Sequence, residues 1–381
     1  MSQTATLSAP EGRQPWIHGP WTDSIFVLGP AFLATALVLA FPDFFRNSSE
    51  MKPWFWLLFI VGVDVAHVYS TLFRTYFDKE EFRKYRRPLL LIPVIAWGAG
   101  VLIYLIDGMV FWRLLAYLAV YHFIRQQYGF FSIYARKEKR PGWERWIDAS
   151  AIYLATLYPI VYWHTHLPRN FFWFLPGDFI SIPWPAFELI ALSLYCLALT
   201  VYLGKEVYLL SQGRPFNWPK NLILVGTVFS WGVGIVLLNG DLAFTATNVL
   251  AHGIPYMALI WFYGQKKAKQ NQVPSRGSKV RNRSFFRLEF IPVFVVVLFC
   301  FAYFEEGLWD AMVWRDHEGL FPWAAELPFL QDKRFLAIVV PLLAMPQITH
   351  YVIDGFIWRV RKPKSETEKA VFGGEANNSG K

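Results

Sequence analysis

Four histidines sit in stretches otherwise composed for an apolar environment: His67 in "GVDVAHVYS", His122 in "YHFIRQQYGF", His252 in "NVLAHGIPYM" and His350 in "QITHYVIDGF". Neutral imidazole suits iron, copper, zinc or nickel, so several imidazoles around one point make a transition-metal site. Each has a polar neighbour three or four positions away, the spacing that shares a helix face: Asp64 with His67, Gln126 with His122, Asn248 with His252 and Asp354 with His350. A metal-bound imidazole normally donates its other ring N–H to such a group, which fixes the ring's orientation. For any one pair, a hydrogen bond between helices is the simpler reading. Four pairs of the same kind favour a metal. The other histidines, His18, His164, His166 and His317, fall in the N-terminal tail or in connections and read as solvent or interface residues.

The elements that must carry these residues follow from composition. Of 381 residues, 55% are hydrophobic, 19% aromatic and only 17% charged, the balance of a membrane protein. Apolar runs near the bilayer-spanning length of about 20 residues recur at 25–41, 53–73, 88–106, 110–134, 147–163, 186–204, 220–238, 242–263, 287–304 and 335–358. The expected fold is therefore all-α, a polytopic transmembrane helix bundle of about ten spans. One domain covers 25–360, between a polar N-terminal tail, 1–24, without the pattern of a cleaved signal, and a disordered tail, 361–381. Cys196 and Cys300 lie inside apolar runs, where a thiol is expected to fill space rather than to pair.

The net charge of +9 could suggest nucleic acid, but its distribution is that of a membrane topology. Lys and Arg gather in alternate connections, after the second, fourth, sixth, eighth and tenth spans, which places both termini in the cytoplasm. The basic excess then meets lipid headgroups, and no nucleic-acid partner is expected. Two longer connections fall on the opposite side. His164 to Pro185 is rich in aromatics and expected at the membrane interface, with a lid over a pocket as the alternative. Glu305 to Arg334, acidic at Glu305, Glu306 and Asp310 and carrying Trp309, Trp314 and Trp323, is a connection expected at the same interface, with the same alternative.

This topology adds depth to the histidine pattern. His67 precedes Arg74 by seven positions, His350 precedes Arg359 by nine, and His122 and His252 precede Arg136 and Lys266 by fourteen each. At about 1.5 Å per residue, all four lie ~10 to ~21 Å from the cytoplasmic face. They occupy spans two, four, eight and ten, which run in one direction, so their rings can meet.

A histidine site that leaves coordination positions open can hold Fe(II) and bind dioxygen, with another transition metal as the second choice. A buried apolar pocket would select a lipophilic substrate. Arg125 and Gln127 face a polar head of that substrate or simply snorkel; Tyr69, Tyr128, Tyr256 and Tyr351 are either ordinary span residues or walls of the pocket.

Two of these windows resemble the bacterial membrane beta-carotene dioxygenases related to the bacteriorhodopsin-associated protein. His122-Phe123 is similar to that family's His-Phe pair in an apolar span. His350, Asp354 and the run Phe356, Ile357, Trp358, Arg359 look like its last histidine, with an aspartate one turn on and an aromatic-aliphatic run ending in Arg. The resemblance implies a helical bundle holding iron on four histidines, here His67, His122, His252 and His350, in a bacterial inner membrane. The chain differs where the family has Pro-His-Gly followed by aspartate, since Asp64 precedes His67. It also lacks a second histidine after His252 and has more spans. Iron and oxygen chemistry on an isoprenoid or other lipid is thus the first expectation. A di-iron hydroxylase or desaturase, with Asp64 and Asp354 as ligands, is the second, although it lacks the usual His-x-x-His-His boxes. A transporter whose intramembrane Asp and His relay protons is the third. Haem between two of the histidines is a weaker possibility.

Overall fold

The computed structural model describes residues 14–46, 51–138, 140–270 and 285–358. The tail 361–381, most of the tail 1–24 and several of the basic connection residues, Arg276, Lys279, Arg281, Arg283 and Arg359 among them, lie outside the described residues. The chain is all-helical, with no strand among the described residues.

Each expected apolar run is helical. In chain order they are α1 (Pro20–Ala40), α2 (Pro53–Arg74), α3 (Arg86–Ile106), α4 (Gly108–Tyr134), α5 (Gly142–Thr165), α6 (Pro185–Ser211), α7 (Trp218–Leu237), α8 (241–270) and α9 (Leu288–Trp314). The tenth, α10, is a pair, Lys333–Leu343 and Met345–Ile357, bent by 41° at its break. Proline opens several of these helices, where its missing N–H costs nothing. Elsewhere a side chain caps the start: Asp107 accepts from Met109 and Val110 N–H, and Asn217 from Lys220 N–H.

Six helices, α1, α2, α3, α6, α7 and α9, are long and apolar enough to cross a membrane, and the bent pair makes a seventh if it counts as one span. α4, α5 and α8 are long but more polar, since they carry buried groups such as His122, Gln127, Asp148 and His252. Only 11% of the apolar windows of α3 and α6 is buried, so these two are peripheral. α2 packs on α8, α9 and α10, and α4 packs on α7 and α10, which gathers α2, α4, α8 and α10 around one interior point.

Several helices widen locally to i→i+5 hydrogen bonding, in α1 at Ser24–Leu28, α2 at Leu57–Val65, α7 at Gly232–Leu237, α8 at Thr245–Val249 and α9 at Asp310–Trp314. Such widened turns shift the phase of the residues C-terminal to them and frequently accompany functional sites. His67 lies two residues after the one in α2, and His252 three after the one in α8.

Two connections differ from expectation. α9 continues past residue 304, so Glu305, Glu306 and Asp310 are buried in the bundle rather than held outside it. Some aromatics of the α5–α6 connection turn inward, Phe171 stacking on Phe244 with ring centroids 4.2 Å apart and Trp173 standing edge-on to Phe123 at 5.1 Å, while Phe172 and Trp184 stay exposed. This aromatic surface finds more contact area on the helices than at an interface. Cys196 and Cys300 are unpaired as expected, but both are exposed on peripheral helices rather than filling the interior.

Candidate metal centre

His67 on α2, His122 on α4, His252 on α8 and His350 on the second half of α10 are exposed by only 1, 4, 0 and 2%. Their Nε2 atoms meet in two pairs, His67 with His252 at 3.1 Å and His122 with His350 at 3.1 Å. The pairs adjoin: ring centroids are 5.0 Å apart for His67 and His350 and for His122 and His252. The tightest set is His67, His122 and His350, whose ligand atoms all lie within 4.8 Å of one another, and His252 joins it through His67.

Two imidazoles on one metal at about 2.1 Å would hold their nitrogens ~3.0 Å apart at a right angle and ~3.4 Å apart in a tetrahedron. The separation within each pair fits that range, while ligand atoms of different pairs lie within 4.8 Å of one another, so the two pairs would draw together around one ion. A direct N–H···N bond within each pair has the same length, with the proton assigned to one ring.

The approach of α8 to α2 that makes the first pair depends on Gly253. A Cβ there would fall 2.7 Å from Val63 Cγ1 and 3.0 Å from the Val63 carbonyl oxygen. Phe123 closes another side, stacked on the His252 ring with centroids 3.6 Å apart and planes 5° from parallel.

The polar neighbours expected to orient the rings do so less directly than their spacing implies. Asp64 Oδ1 is 3.8 Å from His67 Nδ1, beyond hydrogen-bond range, and that nitrogen is buried without a hydrogen-bond partner. Asp354 Oδ1 is 3.9 Å from His350 Nδ1, and its other oxygen is 3.9 Å from His122 Nε2. Asp354 accepts instead from the Tyr256 hydroxyl at 2.6 Å. Gln126 donates across to the His252 carbonyl at 2.8 Å rather than to His122. Asn248 donates to the Ser230 and Phe244 carbonyls and to Thr247, and neither its Oδ1 nor His252 Nδ1 has a hydrogen-bond partner. For Asp354, Gln126 and Asn248 the reason is common: a polar side chain on the right face is also within reach of neighbouring helices, whose groups compete for it.

Of the residues expected around a pocket, Tyr256 joins the centre, where it contacts Thr71, Asp354 and Trp358, and Tyr351 packs on the His122 ring with centroids 4.8 Å apart. Arg125 is exposed and hydrogen-bonded to the Tyr153 hydroxyl, and Tyr128 stacks on the Tyr153 ring at 4.9 Å. Gln127 points toward α7, accepting from Thr227 at 3.0 Å. Successive helical residues are turned by about 100°, so positions 127 and 128 leave the face that carries His122, while Arg125 sits at the edge of that face and turns outward to Tyr153.

Two features were not expected. Thr71 bonds His350 Nδ1 at 2.7 Å; it is four positions after His67, and that same-face spacing is a signal the sequence does carry. Glu305 accepts from the Tyr69 hydroxyl at 2.5 Å, close to the centre, although its sequence context resembles a connection. No protein-family model matches the chain, and searches of curated proteins and of solved structures find no match.

Proposed function

We propose that the chain is a membrane metalloprotein in which His67, His122, His252 and His350 hold Fe(II), and that it oxidises a lipophilic, isoprenoid-like substrate with dioxygen. The observation that carries this is the meeting of four buried imidazoles from four helices, with facing Nε2 atoms 3.1 Å apart in both pairs. Burying four histidines together costs free energy unless their nitrogens are satisfied, and a metal would satisfy one nitrogen of each ring at once. Bound there, Fe(II) would supply a coordination position for dioxygen. The residues around it exclude water through Phe123 and Tyr351 and hold the rings in place through Thr71 and Tyr256.

The distant likeness to beta-carotene dioxygenases belongs to this proposal and rests on the short windows around His122 and His350. So does a topology of about ten spans with both termini cytoplasmic, in which α4, α5 and α8 cross despite their polarity because their polar groups face the interior. Reporter fusions after Arg140 and after Trp323 should then report opposite compartments, and agreement between them would reject the count.

A second reading is favoured by the buried carboxylates Glu305, Glu306 and Asp310, with Asp64 nearby: a transporter handling protons. Elemental analysis of the detergent-purified protein, paired with oxygen uptake on isoprenoid substrates, separates the two. About one iron per chain with substrate-dependent uptake supports the oxygenase. About two would favour a di-iron enzyme, and no bound metal would favour transport.

A further inference from the structure

We infer that Thr71 is a positioning residue of this centre, determining which ring nitrogen His350 turns toward the other histidines; the inference rests on the proposed metal site. Buried serines and threonines on these helices mostly return their hydroxyl to their own backbone. Ser70 donates to the His67 carbonyl at 2.6 Å and Thr75 to the Thr71 carbonyl at 2.7 Å, and Thr35 and Thr247 do the same on other helices. Thr71 lies between two of them and does otherwise. Its hydroxyl crosses to two other helices, 2.7 Å from His350 Nδ1 on α10 and 2.9 Å from the Tyr256 hydroxyl on α8.

The direction of this chain of hydrogen bonds follows from the inventory of donors and acceptors. The Trp358 indole N–H, 3.3 Å from the Tyr256 oxygen, can only donate, and Asp354 Oδ1, 2.6 Å from it, accepts from the Tyr256 hydroxyl, as an ionised carboxylate must. Tyr256 has one proton, which goes to Asp354, and its oxygen is left to accept from Trp358 and from Thr71. The single Thr71 proton is thereby directed to Tyr256. Its oxygen then accepts from His350, so the imidazole carries its proton on Nδ1 and presents a lone pair at Nε2. That Nε2 is the atom 3.1 Å from His122 Nε2. Starting from the metal gives the same order, because a ligating Nε2 leaves the proton on Nδ1 and Thr71 must accept it. The opposite order would put an N–H at the centre, where no metal could bind. Thr71, 4% exposed, and Tyr256, 1% exposed, are shielded from water that could replace either bond.

The test uses the full-length protein in detergent, loaded with Fe(II) to measure affinity and with Co(II) to record its ligand-field spectrum. Thr71→Val keeps the shape and removes the hydroxyl; it should weaken metal binding ten- to hundredfold and shift the Co(II) spectrum. Thr71→Ser keeps the hydroxyl and should restore both. Tyr256→Phe removes the acceptor that directs the Thr71 proton, so it should shift the spectrum in the same sense as Thr71→Val. The double variant Thr71→Val/Tyr256→Phe should then be no worse than the worse single variant, because the two act as one chain. Wild-type affinity and spectrum in Thr71→Val would overturn the inference, as would a Thr71→Ser variant as impaired as Thr71→Val, which would assign the residue to packing. A wild-type protein that binds neither metal would overturn the metal reading itself and this inference with it. A wild type that binds metal beside an unaffected Thr71→Val would overturn this inference alone.

Discussion

Gly253 on α8 stands so close to Val63 on α2 that a Cβ at position 253 would come within 2.7 Å of Val63 Cγ1. The contact adjoins His252 and lies one turn before His67, so it sets how near their Nε2 atoms come. Small residues permit such approaches between helices in membranes. Gly253→Ala should part α2 from α8 and weaken metal binding by at least tenfold. Gly129→Ala on α4, where a Cβ meets nothing within 4 Å, should leave it unchanged. Metal titration of the two variants side by side checks this, and equal affinity would separate the glycine from the site.

Ligands and their supports should respond differently. His122→Ala and His252→Ala each remove a ring nitrogen from the centre and should abolish stoichiometric metal. Asp354→Asn keeps an acceptor for the Tyr256 hydroxyl, so metal should remain, with affinity reduced roughly tenfold. Asp64→Asn should do less, since Asp64 stands 3.8 Å from His67 Nδ1 without a hydrogen bond. Metal content and oxygen uptake on the same preparations distinguish these outcomes. Complete loss in the aspartate variants would make the carboxylates ligands.

Away from the histidines, Lys205 pairs with both Asp148 and Glu206, and Lys220 joins Glu206 to Glu138. Lys205 is 5% exposed and Asp148 1%. Removing one member of such a buried set leaves charge uncompensated. Lys205→Met should therefore destabilise the fold by on the order of 3 kcal/mol, seen as earlier thermal unfolding in detergent. Iron per folded chain should not change, because this network does not touch the histidines.

Lys266, three residues past the expected end of its span, holds the Ile17 carbonyl at 2.5 Å. Burial, reinforced by Arg136, pulls its ammonium from 10.5 down to about 8. Between those values the unfolded chain binds the extra proton and the folded one does not, so stability attributable to this residue rises with pH across that window. Below about pH 8 the contribution is a constant penalty of at most about 3 kcal/mol. Lys266→Met should be more stable than wild type at pH 7, with the gap closing toward pH 10. Unfolding curves at both pH values test the sign.

The helices and the four histidines were legible in the sequence for one reason: polar groups are costly in apolar spans, so those present stand out. Shared depth on parallel spans then placed the rings together. Their partners were not legible, because i,i+4 spacing finds groups on the same helix. The bonds that form run between helices, from His350 to Thr71, from Gln126 to the His252 carbonyl and from Tyr256 to Asp354. The widened turns before His67 and His252 leave no periodicity signal, yet they alter the phase of both helices. Glu305 and Glu306 read as part of a connection because adjacent carboxylates end an apolar run. In the fold they face the interior, where Tyr69 and Trp309 satisfy Glu305.

The central claim is that His67, His122, His252 and His350 bind one metal ion, and X-ray absorption at the iron edge of the purified, iron-loaded protein addresses it most directly. The expected result is a nearest shell of imidazole nitrogens at about 2.1 Å, with the characteristic outer-shell scattering of about four rings, falling to about three in His252→Ala that retains residual iron. A shell of oxygen or sulfur without imidazole scattering, or a spectrum unchanged when any of the four histidines is replaced, would contradict it.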